Sequence, residues 1–219
     1  MMQTLDTLDI KYRDCLEQRR AGTRLRVETL LALTVDSIEA DESRRGALQA
    51  SLDSLSSMFI TVSLPGTNGY KVAKDLFSGH EMDATFVQPR IDENGYLCIV
   101  ANVSGRKLKL NSILCGDAVA SGTSLSMEGS ELMSIPQEGA AQLMDAVSNT
   151  PSGPVTLYLA GSGGKIPVKL TAKQAAAWRN TWRYVKLEQM MHLANIRREK
   201  YEYQLDKLRN QLDSLPEAE

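Results

Sequence analysis

From Lys200 to Leu215 the chain reads KYEYQLDKLRNQLDSL, and Tyr201, Leu205, Leu208, Leu212 and Leu215 recur at intervals of four, three, four and three. That rhythm predicts a helix with a narrow apolar seam. Followed backwards, the same phase takes in Tyr184, Leu187, Met191, Ala194 and Arg198, and only Arg198 breaks the apolar series. At ~1.5 Å per residue the stripe is roughly 45–50 Å long, more than a small β domain can cover. Trp178, Trp182 and Val185 make a second, shorter stripe near the helix start, suited to docking on a β domain because large aromatic area anchors a junction. TAKQ at Thr171–Gln174 supplies the start, with Thr171 and Gln174 placed to cap each other, and PEAE supplies the stop.

The N-terminal quarter is also helical in composition: from Thr4 to Ser57 it has no proline and only Gly22 and Gly46. Leu5, Leu8, Tyr12 and Cys15 form one stripe, Val27, Leu31, Thr34 and Ile38 a second, and Leu48, Leu52, Leu55 and Phe59 a third. RRAGTR (Arg19–Arg24) and ADESRRG (Ala40–Gly46) lie where the stripes change, so the pattern predicts two or three helical pieces, or one long imperfect helix.

Between these arms the texture changes. MFITVSL, TFVQPRI and YLCIVANV are strand-like, with turn signals in PGTNG and DENG. KLKLNSIL (Lys107–Leu114) alternates as a strand with one wet face does. TLYLAGSGGKIPVKL predicts a hairpin whose turn is Gly161–Gly164, with Pro167 placing the return strand at an edge or a bulge. PQEGAAQLMDAV predicts a short helix whose inner side is Ala140, Leu143, Met144 and Val147. The fold class is therefore α+β. Long N- and C-terminal helical arms, an antiparallel coiled-coil-like pair, flank a central antiparallel β-rich domain with one or two short helices. The expected division is 1–57, 58–170 and 171–219.

If both arms leave the β domain at one level, near Met58 and Thr171, antiparallel registry sets Leu215 near Asp14 and places Val27 and Leu31 near Tyr201. It also sets Leu48, Leu52 and Leu55 near Trp178 and Trp182. The C-terminal seam would then meet Cys15, Arg19, Gly22 and Arg26, a poor match for four leucines and a tyrosine. This argues for an outside partner at Tyr201, Leu205, Leu208, Leu212 and Leu215. A second copy is the simplest, giving a homodimer, and a helix of another protein is the alternative.

Composition narrows the function classes. A formal charge of −2 gives no global field toward nucleic acid, and 5% aromatics leave few stacking platforms. No apolar run approaches the ~20 residues that span a bilayer, and the N-terminus lacks a signal-peptide pattern, so the expectation is cytoplasmic, with a periplasmic or envelope adaptor trimmed of its export signal as the alternative. The three cysteines, Cys15, Cys98 and Cys115, read as thiols rather than a disulfide framework.

Candidate chemistry is thin. HEMD groups His80, Glu81 and Asp83, but no second ligand cluster exists, so neither metal nor other cofactor is expected. AGSGGK lacks the first glycine of a phosphate loop and is followed by Ile166 and a strand, so it reads as a flexible hairpin tip. None of the serines of SGTSLSMEGSELMS sits in a nucleophile elbow. The arginines of RRAGTRLR lack interleaved aromatics and are flanked by acids, as on a solvated helix face. The sequence thus points to a non-catalytic interaction or assembly protein. The alternative is a small-ligand-binding or hydrolytic β domain, with the arms used for oligomerisation.

Overall fold

A computed structural model describes residues 2–63, 69–77 and 84–215, with side chains on the first helix from Asp9 onward. The PGTNG turn (apart from Gly69), the HEMD cluster and PEAE lie outside the described residues. Two compact units divide the chain: Met1–Gln49 with Met190–Glu219, and Ala50–Gln189. The divisions fall inside two long helices, α1 (Met2–Ser56) and α3 (Ala172–Asp213).

The N-terminal arm is one helix of 55 residues. Gly22 and Gly46 do not break it. Each costs about 1 kcal/mol relative to alanine, which a long helix absorbs. The hydroxyls of Thr23, Thr29, Thr34 and Ser37 donate to carbonyls four residues earlier, so they satisfy themselves without leaving the helix.

The second unit is built on two antiparallel sheets. The first contains β1 (Phe59–Val62), β2 (Tyr70–Ala73), β3 (Phe86–Asp92), β4 (Leu97–Ser104), β8 (Ser130–Ile135) and β7 (Thr123–Met127), in that spatial order. The second contains β10 (Gly164–Leu170), β9 (Val155–Gly161), β5 (Leu110–Cys115) and β6 (Ala118–Ser121). The core is Ile99, Val103, Ile113, Met133, Ile135, Leu157 and Leu159 from the strands, with Leu143, Met144 and Val147 from helix α2 (Gln137–Asn149). The DENG turn forms as the sequence predicts: Asp92 Oδ1 accepts from the amides of Asn94 and Tyr96, and Gly95 takes the left-handed conformation at φ 83°. The serine-rich stretch Ser121–Ser134, read only for nucleophiles, is largely the β7–β8 hairpin.

One strand begins later than its alternation suggests. Lys107–Lys109 precede β5 rather than belonging to it, although Leu108 and Leu110 are both buried. The reason is Glu131 on β8. Its buried carboxylate accepts from the amides of Leu108 and Lys109 at 3.1 Å and of Leu110 at 3.0 Å, and Lys109 is left-handed at φ 50°. A side chain here takes the place of a neighbouring strand. The glycines of the β9–β10 hairpin serve the same corner: the Gly163 amide donates to the Leu108 carbonyl at 2.8 Å. A Cβ at Gly161 would overlap the carbonyls of Leu108 and Lys109. Close backbone approach, not a flexible tip, explains GSGG.

The cap of α3 forms in both directions, with the Gln174 amide donating to Thr171 Oγ1 and the Thr171 amide to Gln174 Oε1. Trp178 and Val185 are fully buried and Trp182 nearly so. Trp182 Nε1 donates to Asp145 Oδ1 of α2 at 2.7 Å, Lys186 donates to the same oxygen at 3.0 Å, and Arg179 donates to the carbonyls of Thr150 and Pro151. The first turns of α3 therefore lie along α2. The Trp182 bond, helped by Lys186 and opposed by desolvation, holds the Asp145 carboxyl below its ordinary value. A lowered carboxyl stabilises the fold fully above the ordinary carboxylate range and loses that contribution as pH falls through the lowered value. Asp145 is half exposed, so Asp145→Asn should cost no more than about 1 kcal/mol at neutral pH and flatten that acid limb. Urea unfolding followed by tryptophan emission at a series of pH values measures both.

All three cysteines are free; Cys15 is exposed, Cys98 half-buried and Cys115 buried. Burial pushes the thiols of Cys98 and Cys115 up, the former against the opposing pull of Arg90. Among the described residues no helix is long and apolar enough to cross a membrane.

Candidate functional site

The first unit pairs the outer parts of α1 and α3. Val27, Leu31, Thr34, Ile38, Asp41, Arg45 and Leu48 of α1 are buried or half-buried there, at intervals of four, three, four, three, four and three, with Arg24, Val35 and Ser37 half-buried beside them. Two stripes that the sequence presents as separate are thus one phase, carried through Asp41 and Arg45. Letting charged residues stand in the seam is what would have joined them. On α3 the matching positions are Met191, Ala194, Arg198, Tyr201, Leu205, Leu208, Leu212 and Leu215, all buried or half-buried.

A charged layer crosses the pair. Asp41, 7% exposed in its side chain, meets Arg197 at 3.3 Å and Arg44 at 4.0 Å, and Glu42 meets Arg198 at 3.7 Å. Arg198 is also bound to Glu202 at 2.6 Å. Asp41 Oδ2 and Arg45 Nε have no hydrogen-bond partner among the described residues. Such a layer is weak evidence of stability, because desolvation offsets much of the attraction, but it penalises any register that would set these charges against leucine.

The ion pairs set Asp41 beside Arg197 and Glu42 beside Arg198. Carried along both helices, this register puts Leu208 level with Leu31, Leu212 with Val27 and Leu215 with Arg24. The expected register, with Leu31 at Tyr201 and Leu215 at Asp14, is displaced by about two to three turns. In the second unit the Phe59 ring stands 5.0 Å from that of Tyr184 rather than level with Thr171, and the opening turns of α3 lie alongside α2. Burial and the Glu188 carboxylate push the Tyr184 hydroxyl up to about 12, so it stays protonated at this junction.

Tyr201, Leu205, Leu208, Leu212 and Leu215 accordingly line the inner side of the pair, with Leu208 6% exposed within a single chain. The poor match that pointed to an outside partner involved Cys15, Arg19, Gly22 and Arg26. Of these, Cys15, Arg19 and Gly22 lie beyond the level of Leu215 in the observed register. Cysteines at Leu31 and Leu208, in a Cys15→Ser background, should form an intramolecular disulfide that migrates as monomer. A pair at Leu31 and Tyr201, about two turns apart along the axis, should not. The reverse outcome would overturn the register.

Beyond the level of Leu215, no helix among the described residues faces α1. From Asp9 to Thr23 every side chain is exposed except Leu16, which is half-buried. Ile10 and Tyr12 stand in solvent among mixed charges, and Leu25 follows them. His192 is exposed on α3. In the second unit the buried charged side chain among the described residues is Glu131, and three amides occupy it. An open groove there is lined by Thr85, Ser104, Arg106 and Ile166–Lys169. Among the described residues no three of His, Cys, Asp and Glu are grouped to hold a metal ion.

Compared with protein-family models, with curated proteins and with solved structures, the chain matches none.

Proposed function

We propose that this chain is a non-catalytic interaction and assembly protein in which the projecting part of α1 captures an amphipathic helix of a partner. The observation that carries this reading is that no helix among the described residues faces the first part of α1. About 20 residues of α1, roughly 30 Å of helix, extend past the last seam residue of α3. A helix of that length is marginal in water without packing. Tyr12, Cys15 and the half-buried Leu16 share one face of it, while Ile10 lies on the opposite side between Asp14 and Glu17. A helical partner with a comparable stripe would bury Tyr12, Cys15 and Leu16 and leave Lys11, Arg13, Asp14 and Glu17 in solvent. The inner seam then serves to hold the arm straight.

A photo-reactive side chain at Tyr12, activated in the native host, should give a discrete adduct heavier than the chain. The same group at Tyr203, 73% exposed on α3, should give none. No adduct at Tyr12, or equal adducts at both positions, would overturn the reading.

A further inference from the structure

Strand β7 is the last strand of the six-stranded sheet and pairs on one side only, with β8. All five of its residues, Thr123, Ser124, Leu125, Ser126 and Met127, are exposed, and none is charged or proline. A free strand edge presents a row of unpaired amides and carbonyls, and proteins usually blunt it with lysine, proline, a bulge or a covering element. The other sheet is protected in those ways. Its edge strand β10 carries Lys165, Pro167 and Lys169, and its opposite edge β6 lies against α2, where a Cβ on Gly139 would touch the Ser121 carbonyl. Strand β7 has none of these devices.

We propose that β7 joins two copies of this chain, antiparallel about Leu125, so that each six-stranded sheet continues into the other. The strand is its own complement in this register. Leu125 meets Leu125, Ser124 meets Ser126, and Thr123 meets Met127. The acidic residue that follows the strand, Glu128, falls opposite Gly122, so no like charges face each other. Leu125 and Met127, 62% and 40% exposed, share one face of the sheet with Leu132, and pairing covers them. A second copy is favoured over a foreign strand because nothing in β7 selects a partner by charge, whereas every copy brings the matching edge. Five paired residues make a small interface, so the association is weak and concentration-dependent. It concerns the β domain alone and stands apart from the reading of α1.

Sedimentation of the full chain over micromolar to sub-millimolar concentration tests it. The native chain should pass from monomer to dimer. Leu125→Lys and Leu125→Glu, each placing like charges face to face, should weaken self-association about tenfold or more while circular dichroism is unchanged. An equimolar mixture of the two should recover it by pairing opposite charges. A native chain that stays monomeric throughout, variants that associate like the native chain, or a mixture no better than its components would each overturn the proposal, and the first of these would leave β7 to a foreign strand.

Discussion

Replacing Glu131 with alanine should destabilise the β domain by about 3–5 kcal/mol, enough to unfold a domain of ordinary stability in part. The carboxylate is buried and accepts from three successive amides, Leu108, Lys109 and Leu110. Leaving a buried donor unpaired costs about 1–3 kcal/mol, and water entering the alanine cavity recovers some of the loss. Glu131→Gln tests the mechanism separately. It keeps the volume and one acceptor oxygen but turns an N–H₂ group toward amides that themselves donate. It should therefore fall between native and alanine. Urea unfolding monitored by far-ultraviolet circular dichroism measures the series. An alanine variant within about 0.5 kcal/mol of native, the range of neutral surface changes, would show that the corner is held by other means.

Trp178→Ala should be of similar size, about 3–5 kcal/mol, because the side chain is fully buried and leaves a large cavity. The informative comparison is with phenylalanine. Trp178 Nε1 has no hydrogen-bond partner among the described residues, whereas Trp182 Nε1 donates to Asp145. Trp178→Phe should thus lose packing alone, about 1–2 kcal/mol. Trp182→Phe should lose packing and a charge-assisted bond, and should also return the Asp145 carboxyl toward its ordinary range. Thermal melts of the three variants, with acid titration of Trp182→Phe against the native chain, separate the two effects. A Trp178→Phe variant as damaged as the alanine variant would mean that the indole nitrogen is bonded after all.

Much of the fold was legible because it is written in local chemistry. Thr171 and Gln174 cap α3 as their spacing requires, since both donors and acceptors lie within one turn. The inner side of α2 is Ala140, Leu143, Met144 and Val147, because a 3.6-residue period leaves one face for a core. Pro167 sits on an edge strand because it has no amide to offer a second neighbour. The long stripe of α3 is buried or half-buried at each position from Tyr184 to Leu215, Arg198 included.

What stayed hidden depends on residues far apart in sequence. The stripe of α1 looked broken at Asp41 and Arg45 because a charge reads as solvent until its partner is known, and Arg197 lies 156 residues away. The start of β5 looked too early because alternation reports which side chains are buried, not which amides a carboxylate on another strand has taken. The glycines of GSGG looked like a loose tip because crowding by the backbone of Leu108 and Lys109 leaves no trace in their own neighbourhood.

The register of the two arms shows the division most clearly. The sequence by itself determined that both arms are helical, which face of α3 carries the seam, and that a β-rich domain stands between them, since period and propensity act over a few residues. Only the tertiary structure decided which residues of α1 the seam meets. That rests on the charged layer, where Asp41 meets Arg197 and Glu42 meets Arg198, partners too far apart in the chain for either local pattern to show. The same pairing covers Tyr201 to Leu215 within the chain.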